Sequence, residues 1–367
     1  MRVVHCGKFY PPQYNGGLEA VMVGLNAELV RRGISVTAVV SAWRSPGGVD
    51  EVAGVRVVRA AAWGVLFSQP VAPSLPSLLR REPGDLVHLH HPNPLGDWAA
   101  SRDRGRPLVI THHSEIVRQR FLWPAVGPVV RAALQRARLV AIGSEQLLRT
   151  SQELRGFESK ARVIPFGIDT ARFALTPFVA TRARELRARW QDRPVVLGVG
   201  RLVGYKGYDV LLQASRGLDA LVVIVGTGPE ERRLRALAGG RSNVVFAGHV
   251  PDEELPAYYH ACDVFCLPSL SIAEAFGMVL LEAMACGKPL VTTALPTGVS
   301  AVNRDGQTGL VVQPGDAGAL AEALAALLAD QPLGASMGAA AKVVQAREYT
   351  AELMGERYVA LYREALS

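Results

Sequence analysis

The chain has 367 residues, 49% hydrophobic and 20% charged, with 36 glycines; this exceeds what one hydrophobic core usually serves and excludes a disordered or low-complexity polypeptide, so two globular domains are expected. The formal charge of +7 sits in the first half, where residues 1–167 carry 21 Lys or Arg against 12 Asp or Glu and the remainder 19 against 21. These basic residues lack the interleaved aromatics of a base-stacking surface and no finger or helix-turn-helix pattern accompanies them, so nucleic acid is not an expected partner. No window approaches the roughly 18 apolar residues of a spanning helix, and MRVVHCG lacks an apolar leader core, so a cytoplasmic protein is expected. Cys6, Cys262, Cys266 and Cys286 are scattered and read as buried free thiols, from which no metal site follows.

The first half alternates short apolar runs with amphipathic stretches. VVHCG is a strand, and Asn15-Gly16-Gly17-Leu18-Glu19 opens a helix in which two glycines permit close approach of a phosphate or sugar. SVTAVVS follows as a strand, then LVHLHH, LVITHH, LVAIG and RVIPFG, β-branched runs suited to a parallel sheet buried on both faces. His88, His90 and His91 with Asn93 resemble a metal site only superficially: His88 and His90 share one strand face and no carboxylate joins them, so the cluster reads as structural or acceptor-lining. His112 and His113 end the next strand, where polar side chains meet a ligand cleft. Residues 118–138 combine Arg118, Arg120, Arg131, Arg136 and Arg138 with Phe121, Leu122 and Trp123 and no acid. An exposed helix of this kind would bind anionic headgroups through its arginines and insert its apolar face, giving peripheral contact with the inner membrane surface; with Pro124 and Pro128 interrupting it, the alternative is packing on the sheet.

A connector and a charged helix occupy 167–193, and a second series begins with strands VVLGVG, ALVVIVG, NVVFAG, VFCLP, PLVTT and TGLVV. Two doubly wound α/β halves in tandem, Rossmann-like and facing across a cleft, are expected, with ligands at the carboxyl ends of the strands. The domains are 1–167 and 168–345, followed by a terminal helix, 346–367, that packs back toward the first. Gly200, Arg201, Lys206 and Gly207 follow the first strand of this half, and the chain has only five lysines. The run Val225-Gly226-Thr227-Gly228 is not a dinucleotide fingerprint, since it lacks the third glycine and an acidic residue about 20 positions on. After VFCLP, Glu274 precedes Ala275, Phe276, Gly277, Met278 and Val279. The amides of Phe276 to Val279 open a helix suited to a diphosphate, and with Glu282 about two turns in, two carboxylates can hold hydroxyl-bearing groups on a sugar and a ribose.

The segment Glu274 to Glu282 resembles the paired-glutamate motif of retaining glycosyltransferases with the GT-B fold, specifically the large family 4 (group 1 glycosyltransferases) that includes bacterial mannosyltransferases. The resemblance covers nearly the whole chain. It implies that Glu274 contacts donor-sugar hydroxyls and Glu282 the ribose, that Arg201 and Lys206 neutralise the departing diphosphate, and that Gly16 and Gly17 lie on the diphosphate side. It places His113 against the donor sugar and Gly226 and Val250 near the nucleotide. The family more often has proline where Gly204 stands. The chain contains no Asp-x-Asp, so Arg201, Lys206 and the helix start take over the metal's role; no metal and no cofactor are expected beyond the nucleotide-sugar donor itself. The implied reaction moves a hexose from GDP-mannose, or from a UDP-hexose, to a saccharide or polyprenyl-linked acceptor by front-face substitution. The alternatives are a UDP-sugar transferase acting on a small molecule and a nucleotide-sugar epimerase.

Overall fold

Each expected apolar run contributes to a strand, RVIPFG through Arg162 and Val163 alone, in the computed structural model, which describes residues 1–12, 16–43, 46–66, 69–116 and 120–367. The chain divides into two units, Met1–Gly167 with Ala351–Ser367, and Ile168–Thr350.

In the first unit the strands are β1 (Arg2–Cys6), β2 (Ser35–Ser41), β3 (Gly48–Val52), β4 (Val55–Ala60), the short hairpin β5 (Val65–Leu66) and β6 (Gln69–Pro70), then β7 (Leu86–His91), β8 (Leu108–His112), β9 (Leu139–Ile142) and β10 (Ala161–Val163). Eight of them form one sheet in the order β10-β9-β8-β7-β1-β2-β4-β3, parallel except for β3, which pairs antiparallel with β4. The β3–β4 hairpin was not expected from sequence. Buried side chains from one face of the sheet, among them Val4, Val39, Val58, Val87, Ile110 and Val140, build a core with Leu75, Leu79, Val130 and Leu134 from the covering helices. Helix Ala351–Leu366 belongs to this unit and buries Tyr358 and Tyr362 completely. The expected boundary at 345 falls inside helix Gln331–Glu348, because the buried stripe Met337, Ala341, Val344 continues to Gln345 and gives no break before Tyr349.

The second unit holds β11 (Val195–Val199), β12 (Leu221–Val225), β13 (Val244–Gly248), β14 (Val264–Leu267), β15 (Leu290–Thr293) and β16 (Gly309–Val312). They form an all-parallel sheet ordered β13-β12-β11-β14-β15-β16. The first strand of this series is central, with the second and third to one side and the fourth, fifth and sixth to the other. This is the doubly wound order whose switch point, here between β11 and β14, leaves the carboxyl ends open to a ligand. The corresponding reversal in the first unit lies between β1 and β7.

The basic segment after β8 does not form a free amphipathic helix. Residues 117–119, with Arg118, lie outside the described residues, and the helix Trp123–Arg136 buries Val130, Ala133 and Leu134 in the first unit's core with Trp123 and Val126 packed against it. Its apolar face is satisfied by the sheet and is not available for insertion into lipid. No helix among the described residues is long and apolar enough to cross a membrane.

Candidate active site

The loops leaving β11 and β14 at the switch point of the second unit are tied to each other and to the loop after β12. Leu270 N donates to the Tyr205 carbonyl at 2.7 Å, Gly200 N to the Val225 carbonyl at 3.0 Å and Leu202 N to the Thr227 carbonyl at 2.9 Å. Glycine makes this closeness possible at two points. Gly207 has φ +69°, and a Cβ there would stand 1.9 Å from the Pro268 carbonyl; Gly226 has φ +127°, and its Cβ would stand 2.1 Å from the Gly200 carbonyl. The loops are thus packed backbone to backbone, which fixes the side chains they carry.

Lys206 and Glu274, expected to serve separately, form one buried pair. Lys206 Nζ lies 2.6 Å from Glu274 Oε2, and the Ser269 hydroxyl donates to the same oxygen at 3.1 Å. Burial alone would lower the Lys206 ammonium, but the adjacent Glu274 carboxylate overrides it and holds the group above its ordinary value. Arg201 differs: it is exposed, and among the described residues its guanidinium has no ion-pair partner. Of the two cations, one is already neutralised within the protein and one is free for an anion.

Gly277 caps helix Met278–Ala285; Leu280 N donates to the Gly277 carbonyl at 2.8 Å, while the amides of Met278 and Val279 have no backbone acceptor among the described residues. Glu282 is the fifth residue of this helix, one turn in rather than two, because the helix starts at Met278 and not at Phe276. It stands apart from the Lys206–Glu274 pair and accepts a 2.6 Å hydrogen bond from the Tyr259 hydroxyl. Burial pushes its carboxyl up to about 7, against the lowering effect of that hydrogen bond. Val250 is buried beyond β13, and Gly226 N donates to the Gly248 carbonyl at 2.7 Å. Neither Ser269 nor Tyr259 was singled out from sequence, since a single hydroxyl carries no motif.

In the first unit Gly16 caps helix Gly17–Arg31; Asn15 lies outside the described residues. Neither glycine has a positive φ, and a Cβ at Gly17 would meet nothing within 4 Å, so open space rather than strain surrounds this turn.

The histidines are buried and organised in two groups. His5 Nδ1 lies 2.9 Å from His90 Nε2, and His90 Nδ1 lies 2.9 Å from His113 Nε2; beside them His88 contacts the Tyr362 hydroxyl at 2.7 Å and Thr111 Oγ1 at 2.6 Å. The second group overturns the expectation that no carboxylate joins the cluster. His91 contacts Asp97 at 3.0 Å through Nδ1 and Glu153 at 2.9 Å through Nε2, and His112 Nε2 reaches the same Glu153 oxygen at 3.0 Å. Glu153 is 62 residues from His91 in sequence, beyond the reach of a local pattern, while Asp97, 6 residues on, is brought back to His91 by the first turn of helix Pro94–Arg102. Burial would lower His91, but the two carboxylates raise it to about 10; burial would raise Glu153, but the two imidazoles hold it well below the usual carboxylate range. Glu153 also accepts from Ile116 N at 2.8 Å, so the network pins the loop that follows His113. His5, His88 and His90, and likewise His91, His112 and Glu153, are donor sets that can hold a metal ion, although in the second set His91 and Glu153 are already ion-paired with each other.

The chain matches the family described as Glycosyltransferase Family 4 over residues 15–172 and that described as Glycosyl transferases group 1 over residues 181–344. It is 31% identical to the O-antigen chain mannosyltransferase C of Escherichia coli, over all of this chain and 99% of the relative. It is 33% identical to the GDP-mannose-dependent alpha-(1-6)-phosphatidylinositol monomannoside mannosyltransferase of Mycolicibacterium smegmatis, over 91% of each. Its fold is shared, with a TM-score of 0.78 at 20% identity and 99% coverage of both chains, by the crystal structure of Anabaena HepE in complex with UDP and glucose. The two mannosyltransferases give no support to the epimerase alternative. With its two doubly wound sheets, its paired loops at the second switch point and relatives aligned along its full length, the chain belongs to glycosyltransferase family 4 and is a glycosyltransferase of the GT-B fold.

Proposed function

We propose that the chain transfers mannose from GDP-mannose, with retention of configuration, to a hydroxyl of a saccharide or lipid-linked acceptor in surface glycoconjugate synthesis. The observation that carries this reading is the buried Lys206–Glu274 pair at the switch point, with Arg201 left free beside it. Arg201 and the open start of the helix at Met278 hold the diphosphate. Lys206 fixes the Glu274 carboxylate, which accepts from hydroxyls of the sugar, and Glu282 accepts from the ribose. Gly200, Gly226 and Val250 border the nucleotide from the second unit, which is the donor side; the first unit is the acceptor side, with its Gly16 and Gly17 toward the donor's diphosphate and its His113 toward the donor sugar. The bond from the anomeric carbon to the phosphate oxygen breaks as the acceptor oxygen attacks the same face, and the acceptor proton passes to the departing phosphate. The cationic groups stabilise charge that develops on the leaving group, so no divalent metal and no cofactor are needed. The mannosyl specificity follows the relatives named above. The test incubates the protein with GDP-mannose, UDP-glucose and UDP-galactose and follows release of nucleoside diphosphate with and without a lipid-linked saccharide. Turnover of GDP-mannose is expected; turnover of the UDP-sugars alone would overturn the donor, and no turnover of any would overturn the reading.

The proposal includes a cytoplasmic site of action and contact with an anionic membrane surface. With the apolar face of Trp123–Arg136 buried, this contact falls to exposed apolar side chains of the basic first unit, Trp63 at 83%, Leu66 at 59% and Phe121 at 64% exposure. Co-sedimentation with anionic and neutral vesicles at low and high salt tests it: negligible binding to both kinds sinks the idea.

A further inference from the structure

His5, His90 and His113 form one hydrogen-bonded line from the interior of the first unit to the carboxyl end of its sheet. All three are buried, His5 and His90 completely. Each link joins two ring nitrogens, one of which must be bare to accept, and the described hydrogen bonds bring no carboxylate to any of these buried rings, so each is a neutral imidazole carrying one N–H proton. A neutral imidazole donates at one nitrogen and accepts at the other. A line of three therefore has only two polarisations, and the proton position at one end fixes the tautomer at the other.

The inner end decides between them. His5 Nε2 is buried and has no hydrogen-bond partner. A buried N–H with nothing to accept it is rarer in proteins than a buried acceptor left bare, so the proton of His5 sits on Nδ1. His5 then donates to His90 Nε2, His90 donates from Nδ1 to His113 Nε2, and His113 carries its own proton on Nδ1. The described hydrogen bonds of His113 use Nε2 and leave Nδ1 uncommitted. The neighbouring His88 is satisfied by Tyr362 and Thr111, and although its ring stacks within 4.6 Å of His5 and 4.4 Å of His90 it makes no hydrogen bond to the line.

We infer that His5 and His90 are positioning residues that lock His113 as the Nδ1–H tautomer, so that it presents a hydrogen-bond donor, never an acceptor, to an oxygen of the donor sugar. This rests on the reading of His113 as a sugar contact; the tautomer itself does not. The line also explains why three histidines occupy buried strand and strand-end positions where apolar side chains would cost less to desolvate.

The test uses the full chain labelled with nitrogen-15 at histidine and records long-range proton–nitrogen spectra at neutral pH, with His113 assigned by the loss of its signals in His113→Gln. The expected result is a protonated Nδ1 and a bare Nε2 on His113. Protonation on Nε2, or on both nitrogens, overturns the inference whatever the activity. In His5→Leu the line loses its fixed end: the His113 nitrogens are expected to shift toward averaged values and kcat/KM to fall roughly ten- to hundredfold, as when an orienting partner of a functional imidazole is removed. Unchanged His113 shifts in a folded His5→Leu overturn the inference as well. Tyr362→Phe, which alters the neighbourhood of His88 without touching the line, is expected to leave the His113 tautomer as in the parent chain. If no sugar nucleotide is turned over while His113 shows Nδ1–H, the transfer reading fails and the lock stands; if a sugar nucleotide is turned over while His113 is in the Nε2–H form, the lock fails and the transfer reading stands.

Discussion

Removing the ammonium from the Lys206–Glu274 pair isolates what the pair contributes. Both residues are 8% exposed and their charged atoms are 2.6 Å apart. At an effective dielectric near 20 the gross attraction is about 6 kcal/mol, but desolvation of both groups offsets most of that. The asymmetric case is the informative one, because deleting a single partner leaves the other charge buried, at a cost of about 3–5 kcal/mol. In Lys206→Met the Glu274 carboxylate keeps the Ser269 hydroxyl, so a loss near the lower end, about 3 kcal/mol, is expected in the second unit. The double variant Lys206→Met/Glu274→Gln buries no unpaired charge and is expected to recover at least about 1 kcal/mol of that loss, a coupling within the usual range for contacting residues. Hydrogen exchange in peptides covering β11 and β14, followed by mass spectrometry across a urea series, reads the second unit by itself. Turnover is expected to fall by two orders of magnitude or more in each single variant, as for loss of a preorganised transition-state contact of roughly 2.7–4 kcal/mol. Equal stability of Lys206→Met and the double variant would refute the pairing argument, and full turnover in either single variant would remove that residue from the mechanism.

Glu282, raised to about 7, gives affinity a pH dependence: its carboxylate accepts ribose hydroxyls only when ionised, so calorimetric affinity for GDP is expected to rise as pH passes upward through about 7 and to be flat in Glu282→Gln; a flat parent profile refutes the ribose role. The raised pKa of His91 stabilises the first unit fully below 6.5 and this is lost as pH rises through about 10, while the depressed pKa of Glu153 stabilises it above 4.5 and this is lost as pH falls further, so urea unfolding is expected to show the network's full contribution between 4.5 and 6.5. His91→Gln should flatten the alkaline limb, and an unchanged limb counts against the network. Gly207→Ala is expected to lower the unfolding temperature through a left-handed backbone cost of about 1–2 kcal/mol plus displacement of Pro268, whereas Gly204→Ala, whose Cβ meets nothing within 4 Å, is expected to be close to neutral; equal melting of the two refutes the packing argument. Chelators are expected to leave the transfer rate nearly unchanged, and a strict manganese or magnesium requirement would contradict the cationic role assigned to Arg201.

The parallel strands were legible because a strand buried on both faces must be a short, unbroken β-branched run, as LVVIV and VVLGV are. The β3–β4 hairpin was not: its outer strand GVDEV is largely exposed, and its two-residue turn is Ala53-Gly54, with Ala53 at φ +51°, where Asn or Asp is the usual signal. Glu274, Glu282, Arg201 and Lys206 could be picked out as motif members, yet nothing local in sequence says that Lys206 reaches Glu274 while Glu282 turns to Tyr259. That is settled by the placement of β11 beside β14. The same limit hid Glu153 from the histidine cluster. For Trp123–Arg136 the composition fits a membrane face and a core face equally well, and only the neighbouring strands decide between them.

The two units also differ in the charge they expose at the reversal of strand order, and the difference bears on what each can bind. At such a point the flanking helices diverge and the strand ends are left uncovered, so polar groups there can be completed by a ligand. In the second unit the groups are a free Arg201, a helix start and a carboxylate fixed by an ammonium, a set that favours an anion flanked by hydroxyls. In the first unit the ion network around His91 is closed on itself, and His113 is held neutral by burial at the end of a line of neutral imidazoles. A neutral imidazole gains little from a diphosphate but pairs well with an uncharged sugar hydroxyl, because neither group must be stripped of an ionic hydration shell to form the bond. On the proposed reading, the second unit therefore supplies the electrostatic part of donor recognition, and the first supplies directional hydrogen bonding to the sugar.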